Sequence, residues 1–263
     1  MAPEVSRGYR VLWGCVLAAV AAVALVVIVD VASSRLGRGK VDEAPDGVAG
    51  SHGGAMIKSL FLMAFAIGLI VPWTTNDSAR QNTYAEAQAV IEAYWQANRL
   101  PATEAATVHN DLRNYTTFVI DDEWPVMAGG ELSQQGWTML DGMRGSLMSL
   151  DYSDKFSADA DTAVLNQVSD IYAARRQRAV DVDASLPDAV IVFAVITGLL
   201  VIIYPFLVGV RPRGKAIAPI LLTAALIGAG LFLIIDNNHT FSGGIAVKPE
   251  AFQSALLEMQ RIQ

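Results

Sequence analysis

The stretch "AMIKSLFLMAFAIGLIVPW", residues 55–73, decides the fold of this chain. It reaches the roughly 20 predominantly apolar residues that an α-helix needs to cross a bilayer. Lys58 near one end can extend its ammonium group to the lipid headgroups, and Trp73 at the other end suits the membrane interface. The stretch therefore predicts a membrane-spanning helix.

No helix breaker follows this span directly. Residues 76–99, "NDSARQNTYAEAQAVIEAYWQANR", contain no Gly or Pro and carry apolar residues at helical spacing. The sequence therefore predicts that the spanning helix continues into water as one long helix. Leu100 and Pro101 should end it.

Three further stretches are apolar enough to cross a bilayer, residues 11–29, 189–210 and 216–235. The chain is 53% hydrophobic and 17% charged, with a mean hydropathy of +0.37, which is outside the range of ordinary soluble domains. We predict an all-α integral membrane protein with four spans, for which the lipid bilayer is the first partner. The net charge of −7 argues against a nucleic-acid partner.

The first span has an alternative interpretation as a cleaved signal peptide. Arg7 and Arg10 precede it, and small residues at positions 32–34 follow it. Its apolar run is longer than a usual signal core, and cleavage would place the basic loop at residues 211–215 outside the cell. We therefore favour a retained span.

The short loops predict the orientation. Two short basic loops are predicted to be cytoplasmic, whereas basic residues at the N-terminus and ahead of the third span favour the opposite orientation. Because long loops count less in this rule, we predict a multi-pass plasma-membrane protein whose middle region and both termini are extracytoplasmic. The loop residues that carry this prediction are Arg35, Arg38, Lys40, Arg211, Arg213 and Lys215.

These signals divide the chain into four segments. We predict a transmembrane hairpin over residues 1–73, a helical extracytoplasmic domain over 74–187, a second hairpin over 188–236 and a tail over 237–263 that packs on the domain. Thr103 and Ser133 are expected to cap helices in the domain. In the tail, Lys248 and Pro249 should open a short helix over residues 250–259.

The motif "DDEWP", residues 121–125, raises the question of a catalytic or metal-binding cluster. Adjacent helical residues point about 100° apart, so Asp121, Asp122 and Glu123 do not naturally share a ligand sphere. We favour a structural motif in which the acidic residues cap a helix N-terminus or hydrogen-bond a turn, with Trp124 packed on its neighbours and Pro125 in the first turn. The three histidines are scattered, so we predict no catalytic residue, no metal, no cofactor and no enzyme activity.

The motif "ARRQR", residues 174–178, precedes the third span. Arg175, Arg176 and Arg178 could line an anion path, clamp the acidic residues at 121–123 or bind lipid phosphate. The alternative is a solvated helix face with pairs to Asp170 or Asp181. Formal charge is nearly missing within the spans, which disfavours an ion-coupled carrier, and the glycines of "GAG" at 228–230 permit close helix contact.

Several motifs together resemble the bacterial bestrophin-like membrane proteins, a family whose domain has no assigned function. They are "VAG" before the second span, "EAYWQANRLP", "DDEWPVM", "ARRQR" and the tail "DNNHTFSGGIAVKPEAFQSAL". The resemblance runs from about residue 47 to the C-terminus and implies four spans with a helical domain after the second. It adds Phe241, Ser242 and Gly243 to the structural motif. Many members have Arg-Pro before this Phe-Ser-Gly, and its absence here puts an anion-binding role of that position in doubt.

Two functions therefore remain open from the sequence. By analogy with true bestrophins, the resemblance implies a homo-oligomeric anion channel, with the three arginines of "ARRQR" as selectivity charges. The other is a non-conducting accessory or scaffold subunit whose domain docks on a larger membrane complex.

Overall fold

The computed structural model describes residues 2–35, 47–210 and 214–262, with no side-chain placement at 2–12, 30, 33–35, 47–50, 214 and 216. These residues form an all-α structure without β-strands, as predicted. The helices are α1 (Ala2–Arg35), α2 (Gly47–Ala97), α3 (Ala102–Phe118), α4 (Trp124–Met127), α5 (Gln134–Met148), α6 (Lys155–Asp183), α7 (Asp188–Leu207), α8 (Ala218–Asp236) and α9 (Glu250–Arg261). A π-helical segment, Val119–Glu123, joins α3 to α4, and a 3₁₀ turn, Gly214–Ile217, precedes α8.

Helix α2 confirms the prediction that one helix continues from the second span to Ala97. The cap at Ser133 is also confirmed, since its hydroxyl accepts a hydrogen bond from the Gln135 backbone N–H at 3.2 Å. The cap at Thr103 is wrong, because α3 already begins at Ala102, directly after Pro101. A proline fixes its own φ near the helical value, which allows the earlier start.

Three apolar stretches in the described residues are long enough to cross a membrane. They lie within Ser51–Ala97, Lys155–Leu207 and Ala218–Asp236, with mean hydropathies of 2.1, 2.8 and 2.4. The first predicted span corresponds to the shorter apolar stretch Trp13–Val29 in α1, so the count of four spans stays a prediction. Of the residues that set the predicted orientation, Arg38, Lys40, Arg211 and Arg213 lie outside the described residues, and the side chains of Arg7, Arg10 and Arg35 are not described.

The chain forms two compact units. The membrane unit comprises Met1–Trp73 and Ser185–Asn238, and the aqueous unit comprises Thr74–Ala184 and His239–Gln263. Both units are discontinuous in sequence, because the aqueous unit begins at Thr74 within α2, ends before α7 and also includes the C-terminal tail.

Glycines permit close helix packing in the membrane unit. A Cβ added to Gly228 of α8 would lie 2.6 Å from the Ala18 carbonyl oxygen of α1, so the backbones of these helices nearly touch. A Cβ on Gly230 would lie 2.5 Å from the Phe65 ring of α2. The predicted close contact through "GAG" is thus confirmed, and it follows the small-residue packing common between membrane helices.

The aqueous unit has an apolar core between the second part of α2 and the helices α3, α5, α6 and α9. The tail packs on this core: α9 buries Phe252 and Met259, and the ring of Trp124 meets Phe241 edge-on with centroids 5.5 Å apart. The Trp124 indole N–H donates to the Val247 carbonyl at 3.2 Å. The chain segment before α9 is therefore fixed by both packing and a buried hydrogen bond.

Candidate functional site

Four charged side chains meet inside the core of the aqueous unit. Arg175 and Arg178 are three residues apart on α6 and therefore point to the same side of that helix. Glu86 comes from α2 and Glu123 from the end of the π-helical segment. All four side chains are 0% exposed. We call these four residues the ion-pair network.

Glu123 is the centre of the network. Its Oε1 accepts from Arg175 Nη2 at 2.5 Å, and its Oε2 accepts from Arg175 Nη1 and from Arg178 Nη1, both at 2.8 Å. The pairing with Arg175 is bidentate, the geometry in which a planar guanidinium matches a carboxylate best. One carboxylate thus holds two guanidiniums in place.

Glu86 completes the charge balance on the other side of Arg178. Arg178 donates from Nε to Oε2 at 2.7 Å and from Nη2 to Oε1 at 2.9 Å, which is a second bidentate pair. The Tyr115 hydroxyl donates to Glu86 Oε1 at 2.5 Å and accepts from Arg175 Nη1 at 3.2 Å. Two positive and two negative charges are therefore linked through α2, α3, the π-helical segment and α6.

The π-helical segment explains why Glu123 differs from its neighbours. Asp121 and Asp122 are exposed whereas Glu123 is buried, so the three carboxylates do not converge. The prediction that they cap a helix is wrong, because the backbone stays helical from Phe118 to Trp124 and makes no side-chain cap bond there. A π turn inserts an extra residue into the helix, and such bulges are frequent at functional positions. The predicted place of Pro125 in the first turn of α4 is confirmed.

Arg175 lies in a cage of aromatic rings and backbone. Its guanidinium carbon is 4.9 Å from the centroid of the Trp137 ring and 5.7 Å from that of Tyr115. Nη2 donates to the Ser133 carbonyl at 2.9 Å. A Cβ on Gly136 would lie 2.1 Å from Nη2, so the guanidinium occupies the space that a side chain at 136 would need.

Pairing within the network opposes the effect of burial on the pKa of Glu123 and of Arg178. Burial alone would raise the pKa of Glu123, but its hydrogen bonds and the charges of both arginines outweigh burial and hold the pKa below its ordinary value of 4.5. Burial alone would lower the pKa of Arg178, but the charge of Glu86 and the further partners raise it. Burial and the charge of Glu86 raise the pKa of Tyr115. These groups are thus unsuited to proton transfer near pH 7 and tie helices together instead.

Comparison with known proteins decides the family. The sequence model of the bestrophin-like domain matches residues 19–252, which include most of both units and the whole ion-pair network. The chain belongs to the bestrophin-like family. The resemblance seen in the sequence motifs is confirmed. No curated protein and no solved structure matches the chain.

The three arginines of "ARRQR" differ in their exposure in this bestrophin-like protein. Arg175 and Arg178 are enclosed, and only Arg176 is exposed. The sequence left several arrangements of these arginines open. Arg175 and Arg178 adopt one of them, since both form ion pairs with Glu123 of the acidic segment. Asp181 instead accepts from Asn82 at 2.8 Å and from Gln177 at 3.2 Å.

The remaining motif residues lie at the edge of the same core. Phe241 is buried against Trp124, and Gly243 has a φ of +87°, a left-handed conformation that glycine adopts without strain. The neighbouring residue, Ser242, is half-buried and donates its backbone N–H to the His239 carbonyl at 3.4 Å. "FSGG" is thus the turn that brings the tail onto the core.

Sequence reasoning missed Glu86 and Gly136. Glu86 is an acidic residue on the apolar face of α2, between the buried residues Thr83 and Val90. A carboxylate at such a position indicates a buried ion pair, and this was the signal available in the sequence. Gly136 is a glycine early in a helix, which is common and uninformative. Among the residues that the structure describes, no group of three or more His, Cys, Asp or Glu could hold a metal ion.

Proposed function

We propose that this protein is a subunit of a homo-oligomeric ion channel in the plasma membrane, with the aqueous unit on the extracytoplasmic side. Membership in the bestrophin-like family carries the proposal, because the matched domain covers residues 19–252 and the family is related to anion channels. Apolar helices of membrane-crossing length support the same conclusion.

The interior of the membrane unit supports an assembly of several copies. Its core among the described residues consists of apolar side chains: Val26, Phe61, Val201, Ile202, Ala224 and Ile227. The buried Thr197 hydroxyl donates to the Phe193 carbonyl of its own helix at 2.7 Å. An ion needs polar groups or water along its path, and this apolar core favours a path between copies over one inside a single bundle.

The outer faces of the spans leave room for such contacts. In each of the three membrane-crossing stretches, fewer than a third of the residues in the most apolar window are buried within the chain (22%, 28% and 28%). The exposed apolar faces are therefore available both to lipid and to neighbouring copies.

Two measurements test the proposal. The mass of the particle in detergent should be a multiple of the 28.1 kDa chain, and the purified protein should give discrete currents in planar bilayers. Replacing Arg176 with Ala tests the one arginine of "ARRQR" that is exposed, with Arg261→Ala as an exposed control. A monodisperse monomer that gives no current would overturn the proposal.

The aqueous unit also carries a feature that favours a non-conducting scaffold subunit. Tyr84 and Trp95 of α2 are each 49% exposed, and their eleven-residue spacing places both on one side of the helix. Exposed aromatic residues are typical of protein interfaces. In this alternative, native membrane extracts would contain a larger complex that is lost in the Tyr84→Ala, Trp95→Ala variant, while the purified protein conducts nothing.

A further inference from the structure

The aqueous unit carries most of the negative charge of the protein. Its residues, Thr74–Ala184 and His239–Gln263, include 19 Asp and Glu but only 10 Lys and Arg, which gives −9. The whole chain has a net charge of −7, so the membrane unit is slightly positive at +2. The excess of carboxylates is thus concentrated in the aqueous unit.

Burial does not remove this excess. The four buried charges of the ion-pair network cancel, since Arg175 and Arg178 pair with Glu86 and Glu123. Of the other charged groups in the aqueous unit, 12 Asp and Glu side chains are exposed against 7 Lys and Arg. The surface that an approaching ion meets is therefore negative, and two of the arginines that could attract an anion are used inside the core.

Two carboxylates also lie at one end of a helix pair in the membrane unit. Helix α7 begins at the exposed Asp188, and the next helix, α8, ends at Asp236. Because consecutive helices that pack together run antiparallel, both carboxylates lie at the same end of this hairpin. In a homo-oligomer each such residue is repeated around the symmetry axis, and rings of Asp or Glu are the usual selectivity element of cation channels.

We infer that this protein concentrates cations at its aqueous unit and that its channel conducts cations in preference to anions. The second part rests on the proposed function. A negative surface raises the local cation concentration and lowers that of anions over about one Debye length, ~10 Å at 0.1 M salt. The inference departs from the anion selectivity that the analogy with true bestrophins implies.

Reversal potentials in a potassium chloride gradient test the selectivity. For the purified oligomer we expect a potassium-to-chloride permeability ratio of about ten at low salt. It should fall as salt approaches about 1 M, where the Debye length is about 3 Å. Asp188→Asn should lower the ratio several-fold, whereas Lys155→Gln, which removes an exposed positive charge, should not. A channel that prefers chloride would overturn the inference.

A second measurement does not need any current. Trp95 is half-exposed on the aqueous unit, so its fluorescence reports the local concentration of ionic quenchers. In an uncharged detergent, thallium(I) should quench the Trp95 component several-fold better than iodide, after each is normalised to a free tryptophan analogue. The Trp95→Phe variant isolates that component. Equal or better quenching by iodide would overturn the cation-concentrating surface.

The two measurements separate the possible failures. A silent particle with strong thallium(I) quenching refutes the channel and leaves the cation-concentrating surface standing. Anion-selective currents refute the inference and leave the channel standing.

Discussion

Replacing Gly136 with Ala tests whether the ion-pair network holds the aqueous unit together. Gly136 lies in the first turn of α5, which begins at Gln134. The new Cβ would lie 2.1 Å from Nη2 and 2.4 Å from Cζ of Arg175, far inside van der Waals contact. Since the Trp137 ring and the Ser133 carbonyl bound the guanidinium, it must leave its bidentate position on Glu123.

The expected change in stability combines two opposing effects. Ala is favoured over Gly in a helix by about 1 kcal/mol. Breaking a buried ion pair costs about 3–5 kcal/mol, and the lower value applies because Glu123 keeps its bond to Arg178. We therefore expect a net loss of about 2 kcal/mol.

Hydrogen exchange of the detergent-solubilised protein measures this loss locally. A loss of 2 kcal/mol corresponds to roughly 30-fold faster exchange in α5 and α6, because 1.4 kcal/mol is a factor of ten. Gly142→Ala on the same helix is the matched control, since nothing lies within 4 Å of its added Cβ. It should slow exchange. If both variants exchange equally slowly, the guanidinium can move without cost and the reasoning is wrong.

Three further results are expected. Glu123→Gln leaves two buried arginines facing one carboxylate, so it should lower the free energy of unfolding of the aqueous unit by about 3–5 kcal/mol in a denaturation assay. As a control, Asp122→Asn changes an exposed carboxylate and should alter that free energy by less than about 0.5 kcal/mol. Because the pKa of Glu123 is held below 4.5 when folded, its contribution is present above pH 4.5 and is lost as pH falls through the folded pKa. The melting temperature, followed by tryptophan fluorescence, should therefore fall steeply in acid, and it should fall less in the Glu123→Gln variant. In the membrane unit, Gly228→Ala forces α8 away from the Ala18 backbone and should lower the melting temperature, whereas Leu226→Ala, at a 66% exposed position, should not.

The elements of the fold could be predicted because their signals are local. Apolar length identifies a span wherever it occurs. The absence of Gly and Pro from residues 76–99 lets α2 continue to Ala97, and Ser133 caps α5 through the residue two positions on. The C-terminal helix was predicted from Pro249 and begins at Glu250. Each of these depends on neighbours in sequence.

The candidate site could be predicted only in part because its pairs are distant in sequence. Arg178 and Glu86 are 92 residues apart, and Arg175 and Glu123 are 52 apart. The inward direction of Glu123 depends on a π turn, which shifts the helical phase and has no residue signature. The clamp between the arginines and the acidic segment was one of several open arrangements, and only the tertiary packing selects it.

The same packing changes what the basic motif "ARRQR" means for function. In the sequence, three guanidiniums ahead of a span indicate a positive surface that could attract anions. In the fold, two of them are neutralised by carboxylates at 2.5–2.8 Å, and one remains on a surface with an excess of exposed carboxylates. A buried charge that is balanced by its partner contributes little field outside the protein. The preference for an ion therefore depends on which charges burial cancels, and in this protein the exposed charges that remain favour a cation.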